Sequence, residues 1–537
     1  AMHGKAGERP ERSRAAVGRT ARWLLLAALP LLAHCASAPR LDGVEATHAI
    51  PPADSTQLDQ IILQRLGDDP GLSGVQLVQN NALAFAYRAG TAAAAERSLD
   101  VQYYLWQADF TGKLLAAELL RAAERGVKVR VLIDDLDARA KHDLFAIADL
   151  HPNVEVRIFN PFYDRYGMIG QWSEFVLRGT RLNRRMHNKA WVADNRVAIV
   201  GGRNIGDEYF GASEQSNFSD TDVVLVGPVV EQVSREFDVY WNSPDAVPVS
   251  RFEARKPKPE QLQKLSQAAL EFSHEAGETP YIAALRDPLT RAELLKRAPP
   301  LVRVRDIRVL ADDPAKIGAE EAEGLHPSLV LTELMKVVGQ ASSELLVVSP
   351  YFVPGRQGAA NLIESSRRGI RVAVLTNSLA ATDIVAVHVG YARYRRELLR
   401  GGVELYEMKR RAGDAAADDH ISLTGSSRAS LHTKAMIVDR RWAFVGSMNL
   451  DPRSANLNTE MGVLVDSEEL AEQLREQFER NTSPELSYRV ELDPKRGLVW
   501  HDRVNGRDRA VEDEPDASAG RRLGATLLRA LPMESQL

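Results

Sequence analysis

The feature that most constrains this chain is a pattern that occurs twice. Residues 186–204 read MHNKAWVADNRVAIVGGRN, and residues 431–449 read LHTKAMIVDRRWAFVGSMN. Both copies contain His, one residue, Lys, four residues, Asp, six residues, Gly, two residues and Asn. The motif positions are His187, Lys189, Asp194, Gly201 and Asn204, then His432, Lys434, Asp439, Gly446 and Asn449. At ordinary residue frequencies one match arises on the order of 10⁻⁷ times per starting position, so chance does not explain two.

Each copy has the pattern of a β-hairpin. Short runs of β-favouring residues lie on both sides of a polar turn, at 194–196 in the first copy and 439–441 in the second. Residues two apart on a strand face the same side, so each motif's His and Lys project together. The aspartates fall where the strand turns. Asp194 and Asp439 either form the turn by bonding their own backbone or take a direct part in the chemistry.

The paired residue types suit attack on a phosphodiester. Lys189 and Lys434 supply two cationic donors that neutralise the phosphate, and the two motif asparagines supply neutral donors to the same oxygens. An imidazole with an ordinary pKa near 6.5 is largely unprotonated at pH 7 and can attack phosphorus. A second imidazole on the far side can protonate the leaving oxygen. The predicted intermediate is a phosphohistidine.

The duplicated pattern, H-x-K-x-x-x-x-D followed by G-G/S-x-N, resembles the phospholipase D superfamily. Within it the chain is similar to the bacterial cardiolipin synthases, most of all to the cardiolipin synthase C branch, over residues 75–537. The runs that carry this closer likeness are LDVQYYLW at 99–106, FNPF at 159–162, LNRRMHNK at 182–189, GGRNIGDEYF at 201–210, FSDTDVVLVGPV at 218–229, and the terminal LPMESQL. The resemblance implies His187 as the nucleophile and His432 as the acid, then the base. The residues alone leave that assignment open.

Each imidazole needs a partner that holds its tautomer and stabilises positive charge. Glu460, which lies 28 residues after His432, matches the supporting carboxylate of the family. Asp220 is the expected equivalent in the first half, with Asp222 as a rival. We group Asp220 and Glu460 with Asn204 and Asn449 as residues that bind or support the substrate. The alternative is that these acids pair only with surface cations.

The predicted fold class is α/β, with two duplicated phospholipase D-like domains, each a mixed sheet flanked by helices. Strand and helix patterns alternate in both halves, and RGVKV at 125–129 matches RGIRV at 368–372, at nearly the offset of the two histidines. We place the active site at the pseudo-two-fold seam. The predicted divisions are a signal at 1–38, a linker at 39–80, domains at 81–250 and 336–510, a connecting region at 251–335, and a tail at 511–537.

The N-terminus has the pattern of an export signal. Arginines precede an apolar run of eleven residues at 23–33, which is too short to span a bilayer. Cys35, the only cysteine, then follows in LAHC, which looks like a lipidation site, although His34 stands where a small residue is expected. The alternatives are cleavage after Ala38 or an uncleaved anchor. We therefore expect an exported, membrane-associated protein of the bacterial cell envelope, with Cys35 as the predicted lipidation residue on the periplasmic face.

Composition and side-chain chemistry narrow the partners. The net charge of −5 argues against nucleic acid as the main partner. No metal site is predicted, because the residue that shares a face with each motif histidine is a cationic lysine, and we expect no cofactor. The expected partners are phosphatidylglycerol, phosphatidylethanolamine and a membrane surface. Both halves lie in one chain, so a monomer can complete the site.

Two further segments have open interpretations. The aromatic residues Tyr103, Tyr104 and Trp106, and the run FYDRYGMIGQW at 162–172, line an acyl-chain channel or pack in the core or a lid. Near the C-terminus, Leu523, Leu527, Leu528 and Leu531 recur at helical spacing beside arginines. That pattern predicts a docked core helix or a helix on a membrane surface.

Three activities are compatible with these residues. A phosphatidyltransferase would make cardiolipin from phosphatidylglycerol and a second phospholipid, as the resemblance implies. A hydrolytic phospholipase D would use water as the acceptor and release phosphatidic acid. A nucleic-acid phosphodiesterase is the third, and the acidic charge and export signal count against it.

Overall fold

The structure, a computed structural model, describes residues 39, 41–53, 55–67, 69, 71–252, 256–318, 328–410 and 429–529. The predicted signal segment, the predicted lipidation residue Cys35 and the terminal LPMESQL lie outside the described residues. Within these ranges no helix combines the length and the apolar composition needed to cross a bilayer.

The first half is built on a nine-stranded mixed sheet with the order β10-β1-β8-β6-β5-β2-β3-β4-β9. Strands β2, β3 and β4 are parallel, and the other neighbours are antiparallel. The strands are β1 (Ser73–Val78), β2 (Ser98–Tyr103), β3 (Lys128–Asp134), β4 (Val154–Phe159), β5 (Ala190–Ala193), β6 (Val197–Gly201), β8 (Asp222–Val226), β9 (Ala246–Pro248) and β10 (Val302–Val304).

The second half repeats this plan in a ten-stranded sheet with the order β11-β18-β17-β16-β12-β13-β14-β19-β20-β21. Its strands are β11 (Ile307–Ala311), β12 (Glu344–Val348), β13 (Arg371–Asn377), β14 (Glu404–Met408), β16 (Ala435–Val438), β17 (Trp442–Gly446), β18 (Met461–Asp466), β19 (Ser487–Asp493), β20 (Gly497–Val504) and β21 (Arg507–Val511). A separate parallel pair, β7 (Asn217–Ser219) with β15 (Ala429–Leu431), joins the two halves.

Helices cover the outer faces of both sheets and connect the parallel strands. They are α1 (Gln57–Leu66), α2 (Asn81–Ala94), α3 (Phe110–Glu124), α4 (Asp135–Ala138), α5 (His142–Ala148), α6 (Met168–Leu182), α7 (Asp207–Phe210), α8 (Val229–Trp241), α9 (Pro259–Gly277), α10 (Pro280–Arg286), α11 (Pro288–Arg297), α12 (Leu329–Gly339), α13 (Gly355–Arg367), α14 (Val385–Arg400), α15 (Pro452–Asn456), α16 (Glu468–Asn481) and α17 (Ala519–Leu528). The predicted α/β class with two duplicated units is confirmed.

One apolar core joins the halves. Val192 and Val223 of the first sheet and Ile437 and Val445 of the second belong to a single cluster of buried side chains. Their strands are short and rich in valine and isoleucine, as strands covered on both faces require. Each Å² of apolar surface buried in this shared cluster contributes about 25 cal/mol of stabilisation. This burial holds the two sheets in one arrangement. The motif hairpins of the two halves therefore face each other across the seam between the sheets.

The structure moves the boundaries that the sequence predicts. Strand β1 lies inside the predicted linker, yet it is paired on both sides within the first sheet. The predicted connecting region contributes β10 to the first sheet and β11 to the second, with only residues 305 and 306 between them. The crossover between halves is therefore a two-residue link, preceded by three helices.

The predicted motif hairpins are confirmed. β5 pairs with β6 around Asp194 and Asn195, and β16 pairs with β17 around Asp439 and Arg440. All four turn residues have φ between 50° and 54°. A tight hairpin turn needs this left-handed backbone because it matches the twist of the flanking strands, and Asp and Asn adopt it at lower cost than most residues.

Our prediction of a chemical role for Asp194 and Asp439 is corrected by their hydrogen bonds. Asp194 accepts from the backbone N–H groups of residues 96–98, where β2 begins. Asp439 accepts from those of residues 342–344, where β12 begins. A whole strand separates each aspartate from its motif lysine, roughly 15 Å of chain. The alternative, in which each aspartate bonds the backbone of its own turn, is also wrong. The carboxylate oxygens accept instead from the start of the neighbouring strand, β2 or β12, and so hold that strand in register.

The tail helix α17 is docked on the second half by one face only, so the prediction of a docked core helix is met in part. Ala525 is buried, and Leu528 packs against the same small cluster. Leu523 and Leu527 are 62% and 65% exposed, so the prediction that they enter the core is wrong. Leu531 lies beyond the described part of the chain.

We expect Asp194→Ala to lower the free energy of unfolding by about 2–4 kcal/mol, because buried backbone donors lose their acceptor. Asp439→Ala should cost less, since its partners are open to water, and Asp194→Asn should cost less than Asp194→Ala because one acceptor oxygen remains. Denaturant unfolding followed by circular dichroism checks this order. Equal midpoints for Asp194→Ala and the unaltered chain would contradict it.

Candidate active site

Each motif histidine is held by the opposite half of the chain. The backbone N–H of His187 donates to the carbonyl of Thr459 at 2.8 Å, and that of His432 donates to the carbonyl of Ser219, also at 2.8 Å. In both cases the accepting residue directly precedes an acid. The two halves therefore exchange equivalent short segments across the seam, and each segment delivers a carboxylate to the other half's imidazole.

The carboxylates pair with the histidines in a crossed arrangement. His187 Nδ1 lies 2.8 Å from Glu460 Oε2, and His432 Nδ1 lies 2.6 Å from Asp220 Oδ2. All four side chains are buried. The sequence left the partners open, and its rival Asp222 instead contacts the guanidinium groups of two buried arginines.

This geometry corrects the grouping of Asp220 and Glu460 with the substrate-binding residues. Their carboxylates bond the imidazoles, which makes them supports of the two histidines. A carboxylate that accepts from Nδ1–H fixes the tautomer that carries its proton there and leaves Nε2 unprotonated. Each histidine thus presents one ring nitrogen to chemistry, with positive charge on the ring stabilised from behind.

The two motif lysines are buried beside the histidines. Lys189 Nζ donates to the backbone carbonyl of His187, and Lys434 Nζ donates to that of His432, both at 2.6 Å. One proton of each ammonium is used in this way, so two remain for a ligand. The hydrogen bonds also aim each ammonium at the same place as its histidine.

Burial sets the protonation of these groups. Burial, with opposition from Glu460 and added repulsion from both lysines, lowers the pKa of His187 to about 4. Burial lowers the pKa of Lys189 to about 7 and that of Lys434 to about 8, although nearby carboxylates raise both. The pKa of His432 is also lowered, by burial and by Lys434. Each half's lysine acts on the other half's histidine, which places all four groups in one site.

The two acids remain ionised despite their burial. Burial alone would raise the pKa of Glu460, but His187 and Lys189 hold it below its usual range. His432 and Lys434 act on Asp220 in the same way and hold its pKa far below the ordinary value. The site therefore contains two carboxylates that balance the cationic side chains until an anion enters.

The two motif asparagines differ. Asn204 donates from Nδ2 to the hydroxyl of Tyr209 at 3.0 Å and accepts from the Leu105 N–H at 3.4 Å. Asn449 is buried, and its Oδ1 has no hydrogen-bond partner among the described residues. The predicted symmetric role therefore divides: Asn204 is engaged within its own half, and Asn449 keeps an amide oxygen for a ligand.

Sequence reasoning missed two of the three aromatic rings that lie beside the histidines. The ring of Tyr104 lies 5.0 Å from that of His187, and the rings of Tyr209 and Phe218 lie 5.3 and 5.0 Å from that of His432. Tyr104 belonged to the predicted channel and is in contact with the site, whereas Tyr103 is buried in the core. The only signal for Tyr209 and Phe218 was their presence in the runs that resemble the family.

A second missed pair positions the backbone ahead of each histidine. Asp134 accepts from the N–H of Met186 at 2.9 Å, and Asn377 accepts from the N–H of Leu431 at 3.0 Å. Both end a central strand, and their numbers differ by 243, the offset of the RGVKV and RGIRV repeat. That shared offset is a signal by which they could have been found.

Residues suited to a metal converge at a different place within the described ranges. His388, Glu407 and Glu514 have ligand atoms within 4.8 Å of one another. The guanidinium of Arg395 contacts all three at 2.9–3.1 Å, so an arginine supplies the positive charge that a metal ion would otherwise supply there. We read this cluster as a buried ion-pair network of the second half.

The arrangement can bind and attack a phosphodiester. Two ammonium groups and an amide meet where two imidazoles each expose Nε2. One imidazole is neutral at pH 7 and can act as a nucleophile, and the other can carry a proton. Charge neutralisation and proton transfer are thus available without leaving the buried seam.

Comparisons with known proteins identify the family of this chain. The family described as "Cardiolipin synthase, PLD-like domain" matches residues 91–241 and 334–482. The chain is 39% identical to cardiolipin synthase C of Escherichia coli strain K12 over 479 residues, 89% of this chain and 99% of that protein. It is 26% identical to cardiolipin synthase B of Shigella flexneri over 402 residues, 75% of this chain and 78% of that one.

A solved structure has the same fold. Phosphatidylserine synthase of Haemophilus influenzae Rd KW20 aligns with a TM-score of 0.54 at 13% identity, covering 89% of this chain and 99% of that chain. At that identity the likeness concerns the fold alone. The sequence-based resemblance to cardiolipin synthases, including the C branch, is confirmed by the family match and the first relative.

The lysines predict an alkaline limit to activity. As pH rises through about 7 and 8, Lys189 and then Lys434 lose the charge that neutralises the substrate, so kcat/KM should fall. An acid limb should follow protonation of His187, whose pKa is about 4. A bound phosphate favours charged lysine, so kcat should decline at higher pH than kcat/KM.

Initial rates across pH 4–10 measure these limbs. Lys189→Arg is the matched variant, because a guanidinium stays charged across that range. Its kcat/KM should lose the part of the decline that begins near pH 7 and belongs to Lys189, and should keep the losses that follow deprotonation of His432 and Lys434, even if its maximum is lower. A profile of the unaltered enzyme that stays level to pH 10 would contradict the argument.

Proposed function

This chain belongs to the cardiolipin synthase family of phospholipase D-like enzymes, and from that premise we propose that it joins two phospholipids through a phosphohistidine. The proposed reaction transfers a phosphatidyl group from one lipid to the headgroup hydroxyl of phosphatidylglycerol, which yields cardiolipin. The observation that carries the proposal is the crossed pairing of His187 with Glu460 and His432 with Asp220.

In the first step His187 Nε2 attacks phosphorus, and the bond from phosphorus to the headgroup oxygen breaks. His432 enters this step as the imidazolium, in which Nε2 also carries a proton and Asp220 balances the ring charge, and it donates that Nε2 proton to the leaving oxygen. Lys189 and Lys434 donate their remaining ammonium protons to the non-bridging oxygens, and Asn449 donates to them from its amide Nδ2. Glu460 stabilises the positive charge that forms on the His187 ring as the phosphorus–nitrogen bond is made, which offsets the low pKa of that imidazole.

In the second step the acceptor hydroxyl gives its proton to His432 and attacks phosphorus from the side the first headgroup left. The phosphorus–nitrogen bond breaks and His187 returns to its neutral form. Atoms and charge balance: one headgroup alcohol leaves and one lipid alcohol enters. When phosphatidylglycerol is the donor the leaving alcohol is glycerol, and when phosphatidylethanolamine is the donor it is ethanolamine.

Purified protein in phosphatidylglycerol vesicles, with or without phosphatidylethanolamine, should produce cardiolipin, identified by mass spectrometry. The His187→Ala variant should lose at least about 10³-fold in rate, because no covalent intermediate forms. His432→Asn should instead accumulate label from a phosphatidyl donor, since release from the histidine is slowed.

Other products would change the assignment. Phosphatidic acid alone would identify a hydrolase, and nicking of plasmid DNA without lipid turnover would identify a nuclease. A phosphate trapped on His432 in the unaltered enzyme would reverse the two roles. When the protein is separated by size by ultracentrifugation in detergent, the fraction that contains single chains should be active, because both motifs lie in one chain.

We further propose that α6 rests on the membrane. Trp172, Phe175 and Val176 are 63%, 53% and 60% exposed, and they lie at positions i, i+3 and i+4, on one face. Large apolar side chains grouped on an exposed helix face suit the boundary between headgroups and acyl chains. The helix ends five residues before His187, so a lipid surface against it would bring headgroups toward the seam. Export by the N-terminal signal and a lipid on Cys35 would add to this contact on the periplasmic face.

Vesicle co-sedimentation tests the role of α6. Each of Trp172→Ser and Phe175→Ser should weaken binding to phosphatidylglycerol vesicles roughly tenfold, since each removes about 1.5 kcal/mol of apolar burial. Leu289→Ser is the control, because Leu289 is highly exposed on α11. If the control and the α6 variants bind alike, α6 is not the contact.

A further inference from the structure

An apolar cavity of about 450 Å³ lies on the outer side of the first sheet. Its floor is the outer face of β3 and β4, its walls are α3 and α5, and its roof is α9. Val131, Val156, Leu120, Phe145, Leu265 and Phe272 are among the side chains that line it. The volume falls within the ~300–1,000 Å³ of ligand pockets.

The roof helix is not packed as a core helix would be. Of the 19 residues of α9, the buried ones are Ser273 and Ala276, both in its last turns. Leu265, Ala269 and Phe272 recur at helical spacing and line the cavity, and all three are only partly buried. Protein interiors are close-packed, so an apolar space of this size beneath an apolar helix face is suited to a ligand.

The lining selects the chemistry of that ligand. The cavity walls are almost wholly aliphatic and aromatic, so a polar molecule would lose its hydrogen bonds to water without replacement. Lys113 lies at the rim with its Nζ 5.7 Å from the centre of the Phe272 ring, and it forms no ion pair with any described residue. A long hydrocarbon chain with an anionic or ester end near Lys113 meets both conditions.

The cavity adjoins the site already described. Trp106 and Gln107 line its rim, and the Gln107 N–H donates to the carbonyl of Ile205, the residue after Asn204. Tyr104, two residues before Trp106, contacts the His187 ring. The rim therefore lies within roughly 10–15 Å of His187. That is within reach of an acyl chain whose phosphate is bound between the histidines.

We propose that this cavity binds one long fatty acyl chain of a glycerophospholipid, with α9 as its cover. The assignment of that chain to the reacting lipid rests on the proposed function. An acyl chain of a lipid that does not react would have the same chemistry, and the experiment below separates the two sources.

The test uses the full-length protein and a phosphatidylglycerol whose acyl chain carries a terminal diazirine. After irradiation, peptides from α9 and α3 should carry the adduct. Ala269→Trp places an indole inside the cavity and should reduce that adduct roughly tenfold. Leu270→Trp is the matched control, because the neighbouring Leu270 is exposed on the outer face of the same helix. Thermal unfolding of both variants verifies that they fold.

Chain-length dependence identifies the source of the chain. If the reacting lipid fills the cavity, Ala269→Trp should lower kcat/KM for dioleoyl-phosphatidylglycerol roughly tenfold and leave the dihexanoyl substrate unchanged. Loss of the adduct with unchanged chain-length dependence would assign the cavity to a non-reacting lipid. Adducts that map elsewhere, or that Ala269→Trp leaves intact, overturn the acyl site.

Failure of this inference is distinguishable from failure of the proposed function. Adducts on α9 in a protein that makes no cardiolipin would retain the acyl site and remove the transferase. Cardiolipin synthesis without labelling of α9 or α3 would retain the transferase and remove the acyl site.

Discussion

Two hydrogen bonds that cross the seam hold the candidate site together, one from His187 to Glu460 and one from His432 to Asp220. Neither half can orient its own imidazole, because each depends on an acid delivered by the other. The backbone bonds from the two histidines to Thr459 and Ser219 set the same segments in place. The shared apolar core between the sheets fixes the distance over which these bonds can form.

The two halves differ at one point that bears on their roles. Ser447 donates its hydroxyl to Glu460, whereas Gly202 stands at the equivalent position beside Asp220. A Cβ on Gly202 would lie 2.6 Å from Asp220 Oδ1, so that position has no room for a side chain. The longer acid thus accepts from a side-chain hydroxyl, whereas the shorter acid accepts from the backbone N–H of Thr221 beside its imidazole and charged neighbours. An extra donor favours the ionised form of Glu460, which supports the formation of positive charge on His187.

Much of this could be predicted from the sequence, because the evidence lay in local spacing. The motif spacing predicted both hairpins, and the repeated strand and helix patterns predicted the duplicated fold. The crossed pairing could not be predicted, because it depends on contacts between residues more than 200 apart. Strand β1 was missed because its short run SGVQLV lies among turn-forming residues, and its position is decided by pairing with β8 and β10. The role of Asp194 was misjudged because spacing places the turn but does not show which backbone it holds.

The measurement that tests the crossed site most directly is rapid quench into denaturant at mildly alkaline pH, where a phosphohistidine survives, with a labelled phosphatidyl donor in two conservative variants. Glu460→Gln removes the charge behind His187, so label should join His187 more slowly while its later release changes little. Asp220→Asn removes the charge behind His432, so label should accumulate on His187 and be released slowly. If Glu460→Gln slows release and Asp220→Asn leaves it unchanged, the imidazoles are not paired across the halves in the way described.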